Sequence, residues 1–224
     1  MKIGALISGG KDSLFALYLM KQKHNIPCII TIKPLSDESY MFHHPNINLV
    51  KAQSKLMKIP YIEKTTKGKK EEELNDLELL IRQAKEKFNI DGICSGAIQS
   101  NYQKTRIETL AKKLQLKSFA PLWNKDPLKL LNQMLDNNFE IIITSVAAQG
   151  LDADFLGKNL RDILPDLIKL NKKYKIHLAG EGGEFETFVI ACPLFKGKKI
   201  LIKNYKIITE KKQNSARLII KKWL

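Results

Sequence analysis

Short apolar runs alternate with stretches of helical period through the first half of the chain. Residues 3–7 read as a strand, and residues 13–23 as a helix with Leu14, Leu17, Tyr18 and Met20 on its apolar side. Residues 28–32 form a second β-rich run, 48–57 a helix and 60–63 a third strand. Residues 71–88 are the clearest helix, with Leu74, Leu77, Leu80, Ile81, Ala84 and Phe88 at helical spacing. Its acidic start at residues 71–73 suits the positive end of the helix dipole. Residues 91–95 read as a fourth strand and 101–114 as a helix. This alternation predicts a parallel sheet covered on both faces and joined by right-handed crossovers. Ligands of such sheets bind at the carboxyl ends of the strands, which puts residues 8–13, Ile32-Lys33 and Gly96-Ala97-Ile98 on one rim.

The pattern changes after Ala120-Pro121. Asp126-Pro127 is a helix start, with Asp as N-cap and Pro at the first helical position. Residues 140–147 are strongly β-branched, and Gly150 and Gly157 bound a turn or short helix. A helix is expected from near Asp162 to Tyr174, with Pro165 tolerated in its first turn. Three further β runs, 188–192, 200–205 and 216–221, follow without helices between them. The expected fold class is α/β, with a parallel-sheet domain over residues 1–120 and a smaller C-terminal α+β domain over 121–224.

Composition narrows the class. The 224 residues are 44% hydrophobic and 27% charged, as expected of a packed soluble core. No run of 18 apolar residues exists, so no membrane span is expected. The apolar run before Ser8 is too short for a signal-peptide core, and a cytoplasmic protein is expected. The formal charge of +15 would attract nucleotides, nucleic acid or acidic protein surfaces. It comes mostly from dispersed lysines that read as solvated faces, so stable nucleic-acid binding is not expected. Cys28, Cys94 and Cys192 each sit in an apolar stretch and read as buried hydrophobes rather than metal ligands or a redox pair.

The candidate chemistry starts at Ser8-Gly9-Gly10-Lys11-Asp12-Ser13, between the first strand and its helix. That arrangement points backbone N–H groups and a helix N-terminus at an anion. Lys11 adds a positive charge, while Ser8 and Ser13 add hydroxyls. A Walker A loop needs glycine where Ala5 stands and Ser or Thr where Asp12 stands. The segment instead resembles the PP-loop of the N-type ATP pyrophosphatases. The resemblance implies a loop that grips the pyrophosphate leaving group while a nucleophile attacks the α-phosphate.

A second loop, Gly180-Glu181-Gly182-Gly183-Glu184-Phe185-Glu186-Thr187, packs three carboxylates and three glycines into eight positions of a basic chain. It could ligate a cation, bind a cationic substrate or act as a base, or form a solvated hairpin connection. Read together, the two loops resemble the diphthine–ammonia ligase family. Ser39-Tyr40-Met41-Phe42-His43 resembles that family's SYMFH stretch, and residues 96–108 resemble GAIxSxYQxxRxE. Ala120-Pro121-Leu122-Trp123 with Asp126 resembles APLWxxD, and Gly150-Leu151 with Leu156-Gly157 resembles its GLDxxxLG region. Glu186-Thr187-Phe188 through Pro193-Leu194-Phe195 completes a series spanning nearly the whole chain.

The family resemblance implies ATP-dependent amidation of diphthine, a modified histidine of elongation factor 2, with ammonia, through an acyl-adenylate. ATP is the implied cofactor, with Mg²⁺ whose ligands stay open. The implied ATP-binding residues are Ser8, Gly9, Gly10, Lys11, Asp12, Ser13, Gly96, Ala97 and Ile98, the last three against adenine or ribose. Lys11, Asp12, Arg106 and Glu184 are the implied catalytic residues. Arg106 would hold the α-phosphate or the substrate carboxylate, or else pair with a carboxylate such as Glu108. His43, Ser100, Tyr102, Gln103, Trp123, Glu181, Gly182, Gly183, Glu184, Glu186 and Thr187 are the implied substrate-binding residues.

Diphthine carries a trimethylammonium group, which aromatic faces and nearby carboxylates recognise. Trp123 and the acidic loop are therefore expected to read it, the loop lying across the cleft from residues 8–13. No glutaminase-like cysteine stands near the start of the chain, so the nitrogen source is expected to be free ammonium. The competing expectation is a PP-loop tRNA-modifying enzyme. The basic charge favours it, and the absence of paired cysteines weighs against it. Partners are then elongation factor 2 and ammonium, with no membrane and with homo-oligomerisation left open.

Overall fold

A computed structural model of the chain describes residues 1–35, 46–67, 70–210 and 214–224. It divides into two compact units, Met1–Asn124 and Lys125–Leu224.

The first unit holds β1 (Lys2–Leu6), α1 (Lys11–Lys21), β2 (Asn25–Pro34), α2 (Val50–Met57), β3 (Tyr61–Thr66) and α3 (Lys70–Phe88). β4 (Gly92–Cys94), α4 (Asn101–Lys113) and β5 (Lys117–Phe119) follow. The sheet order is β3-β2-β1-β4-β5 with every pairing parallel, as the strand–helix alternation predicts. β1 is central, and Gly4 pairs with Cys28 on one side and Ile93 on the other. One face is packed by α3, whose Leu77, Leu80, Ile81 and Ala84 are buried with Cys28, Ile30, Ile32 and Ile62. Each large apolar side chain buried there contributes roughly 1.5–3 kcal/mol relative to exposure.

Strand order reverses direction between β1 and β4, which makes that junction the topological switch point of the sheet. The glycine loop after β1 and the segment from Ser95 to Ile98 after β4 both leave the sheet at its carboxyl edge there.

The second unit carries α5 (Pro127–Asp136), β6 (Glu140–Val146), α6 (Leu160–Tyr174), β7 (Phe185–Ala191), β8 (Ile202–Glu210) and β9 (Ser215–Trp223). Its sheet runs β7-β6-β9-β8 with antiparallel pairings. Asp126 caps α5, its Oδ1 accepting the Lys129 N–H at 2.8 Å, and Pro127 opens the helix. Leu130, Leu131, Met134 and Leu135 form the buried side of α5.

α6 begins earlier than expected. Asn159 is its N-cap, accepting the Arg161 N–H at 3.0 Å, so Pro165 lies in the helix interior rather than the first turn. Proline there leaves the Arg161 carbonyl without its i+4 donor. Leu160, Ile163, Leu164 and Leu167 are buried, and burial of this stripe holds the helix despite that loss. No described helix is long and apolar enough to cross a membrane.

Candidate active site

The loop between β1 and α1 is built from glycine geometry and a serine staple. Gly9 has φ +89°, a left-handed conformation that a side chain rarely adopts. Gly10 is the N-cap of α1 and supplies no side-chain cap to the first-turn N–H groups, which point the way an anion would be held. Ser13 Oγ donates to the Gly10 carbonyl at 3.1 Å and accepts the Ser8 N–H at 3.3 Å. The Ser8 and Ser13 hydroxyls lie 3.3 Å apart. The two serines thus tie the ends of the loop together.

Three neighbours hold this loop from outside. Thr31 on β2, buried, donates from Oγ1 to the Ile7 carbonyl at 2.9 Å. Gln53 on α2, fully buried, donates from Nε2 to the Gly9 carbonyl at 3.1 Å. Gly96 lies against the loop backbone itself: a Cβ there would stand 2.6 Å from Ser13 N and 2.7 Å from the Asp12 carbonyl carbon. The close approach that excludes a side chain at Gly96 is therefore made to residues 12 and 13. Ala97 and Ile98 are buried, and the Ile98 carbonyl accepts the Asn124 N–H at 2.8 Å.

Lys11 is 2% exposed, and its Nζ pairs with Asp12 Oδ2 at 2.8 Å. Asp12 Oδ1 is buried without a hydrogen-bond partner. A buried carboxylate oxygen with no donor is costly unless a cation or an incoming donor meets it. Among the described residues no group of three or more His, Cys, Asp or Glu could hold a metal on its own. An ion such as Mg²⁺, which takes one or two carboxylates and completes its shell from phosphate and water, fits Asp12 Oδ1 better than a protein cage.

The segment from Ser100 to Glu108 places its side chains along α4. Ser100 is the helix N-cap, its Oγ accepting the Gln103 N–H at 3.3 Å. The Arg106 guanidinium lies 3.4 Å from the centroid of the Tyr102 ring, and its Nε is buried without a partner. Glu108 pairs with Lys104 at 3.3 Å. Lys104 Nζ also stands 4.6 Å over the Trp123 ring. The Trp123 face expected for a substrate cation is thus met by a cation of the chain's own, with a carboxylate beside it.

The acidic loop of the second unit is organised by Glu184. Its Oε1 accepts the His177 N–H at 2.7 Å and its Oε2 the Gly182 N–H at 2.8 Å, while its backbone carbonyl accepts from Ala147 at 2.8 Å. The His177 ring joins in, Nδ1 accepting the Ala179 N–H at 3.1 Å and the Glu181 N–H at 3.4 Å. Gly180 and Gly183 take φ +71° and +82°. In this geometry Glu184 shapes the loop from inside. The loop ends sooner than its eight-residue motif: Phe185, Glu186 and Thr187 belong to β7, with Glu186 opposite Ser145 and Thr187 opposite Ile143. His43 lies outside the described residues.

Comparison with known proteins decides the family. One family model, the diphthamide synthase N-terminal domain, matches residues 1–118, and a second, the diphthamide synthase C-terminal domain, matches residues 126–222. The chain belongs to the diphthamide synthase family. Its relatives named diphthine–ammonia ligase include a Bos taurus protein, 38% identical over 93% of this chain and 85% of that one. A Rattus norvegicus relative is 40% identical over 90% of this chain and 83% of its own length. A Schizosaccharomyces pombe relative is 34% identical over 93% of this chain but only 37% of its own length.

Within this diphthamide synthase chain, sequence reading passed over Thr31, Gln53 and His177. Gln53 meets a carbonyl 44 positions away, and Thr31 one 24 positions away. Neither carries a local motif. For Gln53 the one available signal was a wholly polar amide on the helix that the apolar residues Val50 and Met57 bury. The cysteines are buried as expected, and burial pushes the thiols of Cys28, Cys94 and Cys192 up to about 12.

Proposed function

We propose that this chain amidates diphthine on elongation factor 2 with ammonia, cleaving ATP to AMP and pyrophosphate. The observation that carries the reading is the glycine-capped N-terminus of α1 behind Gly9 and Gly10, with the buried Lys11 in its first turn.

In the first step the diphthine carboxylate oxygen forms a bond to the α-phosphorus, and the bond from that phosphorus to the pyrophosphate oxygen breaks. The N–H groups of residues 9–13 and the Lys11 ammonium stabilise the charge that grows on pyrophosphate. Fixed donors of this kind need no reorganisation as the bond breaks, which is where their rate advantage lies. Asp12 would hold Mg²⁺ through the oxygen that no donor meets, and the ion would offset charge on the phosphates. In the second step ammonia attacks the acyl carbon, the acyl–phosphate bond breaks, AMP leaves and a proton is released.

Arg106, stacked on Tyr102 with its Nε unpartnered, is assigned to the α-phosphate or the substrate carboxylate. Stacking fixes the plane of the guanidinium, so its fork is preorganised for two parallel hydrogen bonds. Trp123 and the acidic loop are assigned to the substrate's trimethylammonium group. A quaternary ammonium cannot donate hydrogen bonds and gains roughly 0.5–2 kcal/mol from an aromatic face. The three cysteines of this chain are buried with their thiols held neutral, which supports free ammonia as the nitrogen source. The reaction belongs in the cytoplasm, where elongation factor 2 works.

Isotope exchange between labelled pyrophosphate and ATP tests the adenylation step. Exchange that depends on diphthine-bearing elongation factor supports the reading, and exchange absent under every condition sinks it.

A further inference from the structure

We propose that Gln53 is a positioning residue of the glycine loop, holding the Gly9–Gly10 peptide so that the Gly10 N–H faces the pyrophosphate group. The proposal deepens the ATP-cleaving reading above and rests on it.

Gln53 sits on α2 at 0% exposure, and its Nε2 donates to the Gly9 carbonyl at 3.1 Å. Burying a primary amide is costly unless its polar atoms are bonded, whereas Leu or Met would fill the same space without that cost. The amide therefore needs a reason beyond packing, and the peptide it grips supplies one. A peptide group is planar and trans, so its carbonyl and the following N–H point in opposite directions. A side chain that pulls the Gly9 carbonyl toward α2 turns the Gly10 N–H away from α2.

This peptide is the weakest point of the loop. Glycine stands on both sides of it, and with no Cβ to resist, it can rotate about its flanking bonds at little steric cost. Rotation would exchange the N–H for a carbonyl and turn an anion-binding loop into one that repels phosphate. The other internal ties do not prevent it. Ser13 holds the Gly10 carbonyl and the Ser8 N–H, and Thr31 holds the Ile7 carbonyl. These bonds fix the Ile7–Ser8 and Gly10–Lys11 peptides, and among the described residues leave the Gly9–Gly10 peptide to Gln53.

The test uses the intact chain and its Gln53→Met variant, which keeps the volume and removes the donor. Titration calorimetry with inorganic pyrophosphate should show affinity weakened about tenfold or more by loss of one aligned donor, while AMP affinity stays unchanged. Wild-type pyrophosphate affinity in Q53M overturns the proposal, as does a fall in AMP affinity to the same degree, which marks a general structural role. Should Q53M not fold, amide NMR of the unaltered chain decides. The Gly10 N–H must shift on pyrophosphate addition, and an unmoved resonance overturns the proposal. No pyrophosphate binding by the unaltered chain would instead sink the ATP-cleaving reading, and the proposal with it.

Discussion

Glu184 Oε1 accepts the backbone N–H of His177 at 2.7 Å across seven positions of chain. The same carboxylate takes the Gly182 N–H at 2.8 Å, so one side chain closes the loop from both ends. Glu184→Gln sets an NH₂ group against one of those N–H donors. A charge-assisted bond of roughly 1.5–3 kcal/mol is lost from the loop alone. The expected outcome is a raised KM for the diphthine-bearing substrate with KM for ATP unchanged. Steady-state kinetics with each substrate varied in turn checks it, and equal rises in both would contradict a substrate-reading role.

Gly96→Ala should disable the glycine loop. The new Cβ would meet backbone atoms of Asp12 and Ser13 at 2.6 to 2.8 Å, and backbone yields less readily than a side-chain tip. The loop must shift, so pyrophosphate–ATP exchange should fall at least tenfold, in line with about 1–3 kcal/mol of overpacking strain. A variant with wild-type exchange would show that residues 12 and 13 do not need their present position.

Trp123→Ala should raise KM for the protein substrate by about 2- to 30-fold, the span of one cation–π contact. KM for ATP should stay the same. Lys104→Met should act in the opposite direction, since it removes the ammonium that stands 4.6 Å over that ring. If Trp123 serves only to seat Lys104, both substitutions leave the kinetics alone and shift only the melting temperature.

The thiols should resist modification in the folded chain. With burial pushing Cys28, Cys94 and Cys192 up to about 12, the thiolate fraction at pH 8 is on the order of one part in ten thousand. A disulfide reagent should react fully only after denaturant is added. Rapid labelling of any of them in the native state would contradict their burial.

How much of this was legible depends on the range of the interactions. The strand–glycine–helix order of residues 3–23 and the cap at Asp126 are local, and the sequence pattern gives both. β5 was missed because Lys117-Ser118-Phe119 is three residues long, and an edge strand that short leaves no alternation to read. The start of α6 was misplaced because Pro165 suggests a first turn, while the stripe Leu160, Ile163, Leu164 and Leu167 carries the helix past it. Gln53, Thr31 and His177 were passed over for a common reason. Each acts on backbone groups, and which carbonyl or N–H a polar side chain will meet is a property of the fold. The contacts of Gly96 and Glu184 were not legible either. Gly96 lies against the backbone of residues 12 and 13 in another loop, and Glu184 bonds the backbone of its own, which residue type and spacing alone do not reveal.

The most direct measurement is to incubate the chain with diphthine-bearing elongation factor 2, ATP, magnesium and ammonium. Mass spectrometry of the factor and chromatography of the nucleotides then read out both halves of the reaction. Loss of about one mass unit from the modified histidine as OH becomes NH₂, with AMP released in equal amount, is the predicted result. ADP as the nucleotide product, or an unmodified factor in the presence of ATP consumption, would contradict it.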